Sequence, residues 1–147
     1  MATYKIGELF CGPGGIAKGV EKAAEVVRRD SVEVEVVHSW ANDYDGDTCR
    51  TYGHNFPEAR VIHKDIRKLD IEKDLSEIDG LAFGFPCNDF SVVGEQKGIN
   101  GTFGPLYEYG AQVIDQYSPS WFVAENVGGL RNSNDGSAFQ LILSRLQ

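Results

Sequence analysis

Cysteine is scarce in this 147-residue chain: Cys11, Cys49 and Cys87 form no C-x-x-C pair and leave an odd count. Neither a disulfide framework nor a structural zinc site fits that pattern, and a reducing cytosol does. His38, His54 and His63 share no ligand spacing with one another or with the cysteines, so no metal site is expected. No apolar run is long enough to span a bilayer, and Met1-Ala2-Thr3-Tyr4-Lys5 leads into a short apolar segment without a signal-peptide core. A soluble, cytoplasmic protein is expected, with no membrane partner. Positive charge is also short. Fourteen basic residues face 22 acidic ones, a net charge of −8, which argues against a large nucleic-acid-binding face on this chain. The local cluster Lys64, Arg67 and Lys68 is interleaved with Asp65 and Asp70 and reads as solvated surface.

What is present is a chain 41% hydrophobic, enough for one domain with a sizeable core, residues 1–147. Short apolar runs alternate with amphipathic stretches, uninterrupted by repeats or low-complexity linkers, which is the pattern of βαβ units. Strands are predicted over Tyr4–Phe10, Val32–Ala41, Arg60–His63, Gly80–Phe85 and Trp121–Glu125. In Ile16–Arg28 the apolar residues Ile16, Val20, Ala23, Ala24 and Val27 fall on one helix face. Further helices are predicted over Asp45–Asn55, Pro105–Tyr117 with Pro105 in the first turn, and Ser137–Gln147. The fold class is α/β, with a doubly wound, mostly parallel sheet. It reads as incomplete at its C-terminal edge, since the last helix has no following strand and five strands would leave an exposed sheet edge.

Chemistry-bearing residues collect where predicted strands end. The fourth strand runs into Phe85-Pro86-Cys87, which delivers a thiol to the carboxyl edge of the sheet, where ligands bind in open α/β folds. A small buried hydrophobe is the alternative for such a cysteine. The loop after the first strand, Phe10-Cys11-Gly12-Pro13-Gly14-Gly15-Ile16-Ala17, suits close backbone approach of a ligand at a helix N-terminus. Gly12, Gly14 and Ala17 also satisfy a dinucleotide fingerprint, and a tight turn without ligand remains open. Asp43, at the end of the second strand, could accept from both ribose hydroxyls, and Tyr44 could stack on an adenine. Asp45 reads as a helix N-cap. Asp65 could accept from an adenine amino group or cap a helix. Glu125 follows four apolar residues that should be buried. Burial would raise its pKa and let it donate a proton, unless a cation or backbone N–H groups hold it.

In this order the segments resemble the cytosine-C5 DNA methyltransferase family over essentially the whole chain. Phe10-Cys11-Gly12-Pro13-Gly14-Gly15 looks like its first motif, Asn42-Asp43-Tyr44-Asp45 its second and Lys64-Asp65-Ile66 its third. Gly84-Phe85-Pro86-Cys87 with Phe90-Ser91 matches the nucleophile motif, Gly104-Pro105-Leu106-Tyr107 the fifth and Glu125-Asn126-Val127 the sixth. The resemblance implies a Rossmann-like fold and S-adenosylmethionine as cofactor, held by Phe10, Gly12, Gly14, Gly15, Ile16, Asp43, Tyr44, Asp65, Ile66, Pro86 and Leu106. It implies Cys87 and Glu125 as catalytic residues, with Phe85, Ser91, Asn126 and Val127 against a cytosine flipped out of DNA. Asn88–Phe103 would be a loop closing over that base.

The chain departs from the family in three places. Asn88-Asp89 stands where Gln and a small residue are usual, and Phe103 where the family has Arg before its fifth motif. The later motifs and the target-recognition domain have no counterpart. The expectation is an N-terminal catalytic half, a fragment or one subunit, which needs a C-terminal half or complementing subunit and is inactive on DNA alone. The same chemistry on tRNA, or a non-catalytic interaction module that keeps the fold, are the alternatives.

Overall fold

A computed structural model of the chain describes residues 1–86 and 106–147, with Ser133 and Asn134 by their backbone alone. Five strands form one sheet: β1 (Ala2–Leu9), β2 (Val34–Asp43), β3 (Arg60–His63), β4 (Gly80–Phe83) and β5 (Trp121–Ala124). Their order is β3-β2-β1-β4-β5, and every neighbouring pair is parallel. The crossovers are α1 (Gly15–Arg29), α2 (Gly46–Asn55), the short α3 (Ile71–Asp74) and α4 (Tyr107–Tyr117), and α5 (Ser137–Leu146) follows β5. This is a doubly wound, Rossmann-like sheet. Its order reverses between β1 and β4, which sets the ligand crevice at their carboxyl ends.

Alternation along the strands separates two cores. Leu9, Trp40, Leu81 and Phe83 turn to the face covered by α3, α4 and α5, where Val113, Ala138 and Ile142 meet them. Cys11, Ala17, Ala41, Tyr52 and Phe56 form the smaller core beneath α1 and α2. A register shift in β2 keeps those faces in phase. Ile6 pairs with His38 and Gly7 with Trp40, so Ser39 is the extra residue and Ala41 arrives opposite Glu8. Buried Trp40 donates its indole N–H to Ser76 O at 3.0 Å. Over the same face Arg145 of α5 bridges Glu108 and Asp115 of α4, with N–O distances of 2.8 and 2.6 Å.

Observed ends differ from the sequence expectations by a residue or two. β2 is displaced two residues C-terminally at both ends, and β4 stops at Phe83, two residues early. Asp45 caps α2 as expected, its carboxylate accepting from Thr48 N–H at 2.8 Å. Helix α3 and the 3-10 turn Ile66–Lys68 were not foreseen, being too short for a hydrophobic period to register. Pro105 lies outside the described residues. Among the described residues no helix is long and apolar enough to cross a membrane, and no three His, Cys, Asp or Glu side chains form a metal-holding group.

The apolar face of α1 is less buried than its spacing predicts. Ala17 and Ala24 are buried, Ile16 and Val20 half-buried, and Ala23 and Val27 exposed. The same holds for β5, where Phe122 and Val123 are exposed.

Candidate active site

The glycine loop after β1 is held on three sides by the main chain and side chains around it. Cys11 N–H donates to Asn42 O at 3.1 Å, and Gly12 N–H donates to Asp43 Oδ2 at 3.0 Å. Asn55, near the end of α2, donates to Pro13 O at 3.1 Å. Phe10 has φ of 53°, an uncommon left-handed conformation for a non-glycine residue of the kind found at ligand-binding turns. Gly14 caps α1 at φ 99°, and a Cβ there would meet the Phe56 ring at 2.4 Å, so the position requires glycine. Around Gly12 and Gly15, by contrast, a Cβ would find nothing within 4 Å. The loop is therefore braced from below and open above, at the N-terminus of a 15-residue helix whose first turn carries no acidic residue.

Beside the loop lies a cleft of about 220 Å³ lined by Phe10, Asn42, Tyr44, Asp65, Ile66, Arg67, Pro86 and Leu106. Phe10, Ile66, Pro86 and Leu106 supply apolar walls, and the polar groups stand at the ends of β2 and β3. Six of the residues expected at a cofactor therefore share one cleft: Phe10, Tyr44, Asp65, Ile66, Pro86 and Leu106. Gly12, Gly14, Gly15 and Ile16 form the adjoining loop and helix start. Asp43 braces that loop, since its two carboxylate oxygens accept from the N–H groups of Gly12 and Asp45. Each oxygen keeps a lone pair for a further donor.

Asn42 and Arg67 complete the cleft and were not singled out in the sequence. Asn42 is buried and donates to Ile62 O and Lys64 O, both at 2.8 Å, tying the end of β2 to that of β3. A polar residue inside an apolar strand, next to Asp43, was the available signal. Arg67 belongs to the cluster read as solvated surface. It is exposed, but it pairs with Asp65 at 2.6 Å and so reaches the cleft rim. Side-chain hydrogen bonds from Arg67 hold the Asp65 carboxyl well below the usual range, at about 2. Asp65 also caps the 3-10 turn by accepting from Arg67 N–H.

Of the expected catalytic and substrate residues, the β4–β5 side carries Phe85, Glu125, Asn126 and Val127. Phe83 pairs with Ala124, so Gly84 and Glu125 follow side by side, and Glu125 N–H donates to Phe83 O at 3.0 Å. The Glu125 carboxylate lies against the main chain leading to Pro86, its Oε2 3.3 Å from where a Gly84 Cβ would stand. Glu125 is exposed, which corrects the burial expected around it. The physical reason is that β5 is the edge strand, and its far side carries no strand among the described residues. Asn126 Nδ2 donates to Phe85 O at 3.0 Å, and Phe85, Asn126 and Val127 share a second cavity of about 450 Å³ walled by α5. Phe85 is also a core residue, buried against Phe83 and Tyr107. Cys87 and Ser91 lie outside the described residues, as does the segment Asn88–Phe103.

The family model for C-5 cytosine-specific DNA methylases matches residues 4–147. The chain belongs to the C-5 cytosine-specific DNA methylase family. It is 46% identical to the type II methyltransferase M.BbvI of Brevibacillus brevis over 149 aligned positions, 97% of this chain and 40% of that protein. It is 34% identical to the type II methyltransferase M.Eco47II of Escherichia coli, over 95% of this chain and 31% of that one. The fold matches a prophage-encoded E. coli protein assigned as a DNA modification methyltransferase, with TM-score 0.70 and 21% identity, over 97% of this chain and 37% of that one. This C-5 methylase chain thus spans less than half the length of these relatives.

Proposed function

We propose that this chain is the cofactor-binding and nucleophile-bearing part of a DNA (cytosine-5-)-methyltransferase that uses S-adenosylmethionine. The observation that carries the reading is the shared crevice. Braced glycine loop, apolar cleft and Pro86 lie at the carboxyl edge where the sheet order reverses, and Glu125 follows β5, the next strand along that edge. The cleft suits a nucleoside. Phe10, Ile66, Pro86 and Leu106 would enclose a flat base, Asp65 and Tyr44 would face its edge and ring, and Asp43 has acceptor capacity for ribose hydroxyls. The open N–H groups at the start of α1 would take the carboxylate of the amino-acid tail.

When bound, S-adenosylmethionine supplies an electrophilic methyl group to C5 of cytosine. C5 is a poor nucleophile until a group adds to C6. Cys87, directly after Pro86, would add to C6 as thiolate, while Glu125 hydrogen-bonds or protonates N3 as charge enters the ring. After loss of the C5 proton, β-elimination breaks the sulfur–C6 bond and frees Cys87. The exposed position of Glu125 fits a group that meets a base extruded from DNA, with Asn126 and Val127 beside it. Relatives that extend well beyond the matched region, together with an apolar edge strand, support a further polypeptide that pairs with β5 and carries DNA contacts that an acidic chain does not provide.

The test is transfer of labelled methyl from S-adenosylmethionine to duplex DNA. The assay uses the 147-residue chain alone and with a polypeptide covering the part of M.BbvI it does not match. Transfer in the complemented mixture, little by the chain alone and none with Cys87→Ser is the expected result. Transfer that survives Cys87→Ser, or binding of NAD in preference to S-adenosylmethionine, would remove the proposal. Methylation of tRNA rather than DNA would move the substrate to RNA.

A further inference from the structure

The smaller core contains a carboxyl group that the chemistry above does not use. Glu8, on β1 two residues before the glycine loop, is 2% exposed and accepts a hydrogen bond from the hydroxyl of fully buried Tyr52 at 3.1 Å. Tyr52 comes from α2, and its ring lies 3.3 Å from where a Gly14 Cβ would stand, next to the Phe56 ring that packs there more closely. Tyr52 and Phe56 pack against each other at a tilt of 43°, with ring centroids 4.8 Å apart. The Glu8–Tyr52 bond therefore joins the end of β1 to the side chains on which the left-handed turn of the loop rests.

We propose that Glu8 is a positioning residue for the glycine loop, acting through Tyr52, and that ionisation of its carboxyl weakens binding at the loop. The inference rests on the reading of that loop as the cofactor cradle. A neutral carboxyl can sit among apolar side chains and accept from Tyr52. A carboxylate there draws water or displaces α2, and the support under Gly14 moves with it.

Burial raises the Glu8 pKa to about 7, and the hydrogen bond from Tyr52 opposes that rise only in part. Titratable groups face it from the elements packed around it. Tyr52 on α2 and Cys11 in the loop are pushed well above their usual values by burial, and Cys49 on α2 is raised too. Burial lowers His38 on β2, whose ring packs at a tilt against Phe56, below its usual value. Asp43 on β2 is held by two N–H donors, and Glu21 on α1 is paired with Lys18 at 2.6 Å. The sign follows. Below pH 4.5 Glu8 is neutral in both the folded and the unfolded chain, and its support of the loop is complete. Between there and about pH 7 the folded chain holds a proton that the unfolded chain has lost, so stability falls as pH rises, and above it the folded carboxyl is charged.

The test has two readouts on the whole chain. The first is the carbon-13 titration of the Glu8 carboxyl by NMR without cofactor. The second is the Kd for S-adenosylmethionine between pH 6 and 8.5, in the wild type, Glu8→Gln and Tyr52→Phe. A Glu8 midpoint near 7 is expected, with wild-type affinity falling about tenfold across the range. Glu8→Gln, neutral at every pH and still able to accept from Tyr52, should hold its pH 6 affinity throughout. Tyr52→Phe should bind more weakly at low pH and show a flattened profile. An ordinary carboxylate midpoint, or a Glu8→Gln profile like the wild type's, would overturn the proposal while the cofactor reading stands. A wild type that binds no S-adenosylmethionine at any pH would overturn both.

Discussion

The two halves of the sheet's carboxyl edge are built differently. At the ends of β1, β2 and β3 nearly every polar group is tied down: Cys11 to Asn42, Gly12 to Asp43, Pro13 to Asn55, and Asn42 to Ile62 and Lys64. At the ends of β4 and β5 the ties among the described residues include Glu125 to Phe83, Asn126 to Phe85 and Val127 to Asn126, and β5 itself is exposed. The first half is preorganised by the chain's own residues, as a cradle for a cofactor must be. The second leaves Glu125 and Val127 exposed, and on the proposed reading a further polypeptide covers them. Cofactor binding should therefore survive in the isolated chain while turnover depends on a further polypeptide.

Four substitutions would break or sharpen that contrast. Glu125→Gln in the complemented protein should lower kcat by about 10²–10⁴-fold. Because Glu125 is exposed, its thermal midpoint should not move, and a large loss of stability would show that the open half carries structural load. Gly14→Ala puts a side chain at φ 99° against Phe56, and should destabilise the isolated chain by about 3 kcal/mol and abolish S-adenosylmethionine binding. Titration calorimetry with a denaturant curve would check both. Asn42→Ala leaves two strand-end carbonyls without their donor and should cost about 2 kcal/mol, with weaker cofactor binding. Its mirror on the other half, Val123→Lys on β5, should change the stability of the isolated chain by less than about 0.5 kcal/mol, since Val123 is 47% exposed. In the complemented protein the same lysine should weaken association, and equal behaviour in both settings would argue that nothing covers β5.

The contrast also explains what could be read in the sequence. All five strands, the parallel doubly wound class and the Asp45 cap were legible, because strand-length apolar runs, a long amphipathic period and a capping side chain are local signals. The cleft was largely legible for a similar reason. Phe10, Tyr44, Asp65 and Pro86 all sit where strands end, and a parallel sheet brings those ends together. Arg67 was missed because alternating charges look solvated, and only the fold shows its guanidinium reaching Asp65 at the rim. Glu8 went unremarked because nothing local distinguishes a buried carboxyl in a strand from an exposed one. The burial of Glu125 was overestimated because four preceding apolar residues imply a covered strand, and cover is a tertiary property that β5 lacks among the described residues. The placement of Cys87 and Ser91 rests on their sequence context.

The most direct measurement is the intact mass of the complemented protein after incubation with S-adenosylmethionine and DNA carrying 5-fluorocytosine, followed by peptide mapping. Fluorine cannot leave C5 as a proton does, so elimination stalls and the sulfur–C6 bond persists. The expected result is a covalent complex of protein and methylated DNA whose link maps to Cys87. Absence of any adduct under conditions in which the same protein methylates ordinary DNA, or a link at another residue, would contradict it.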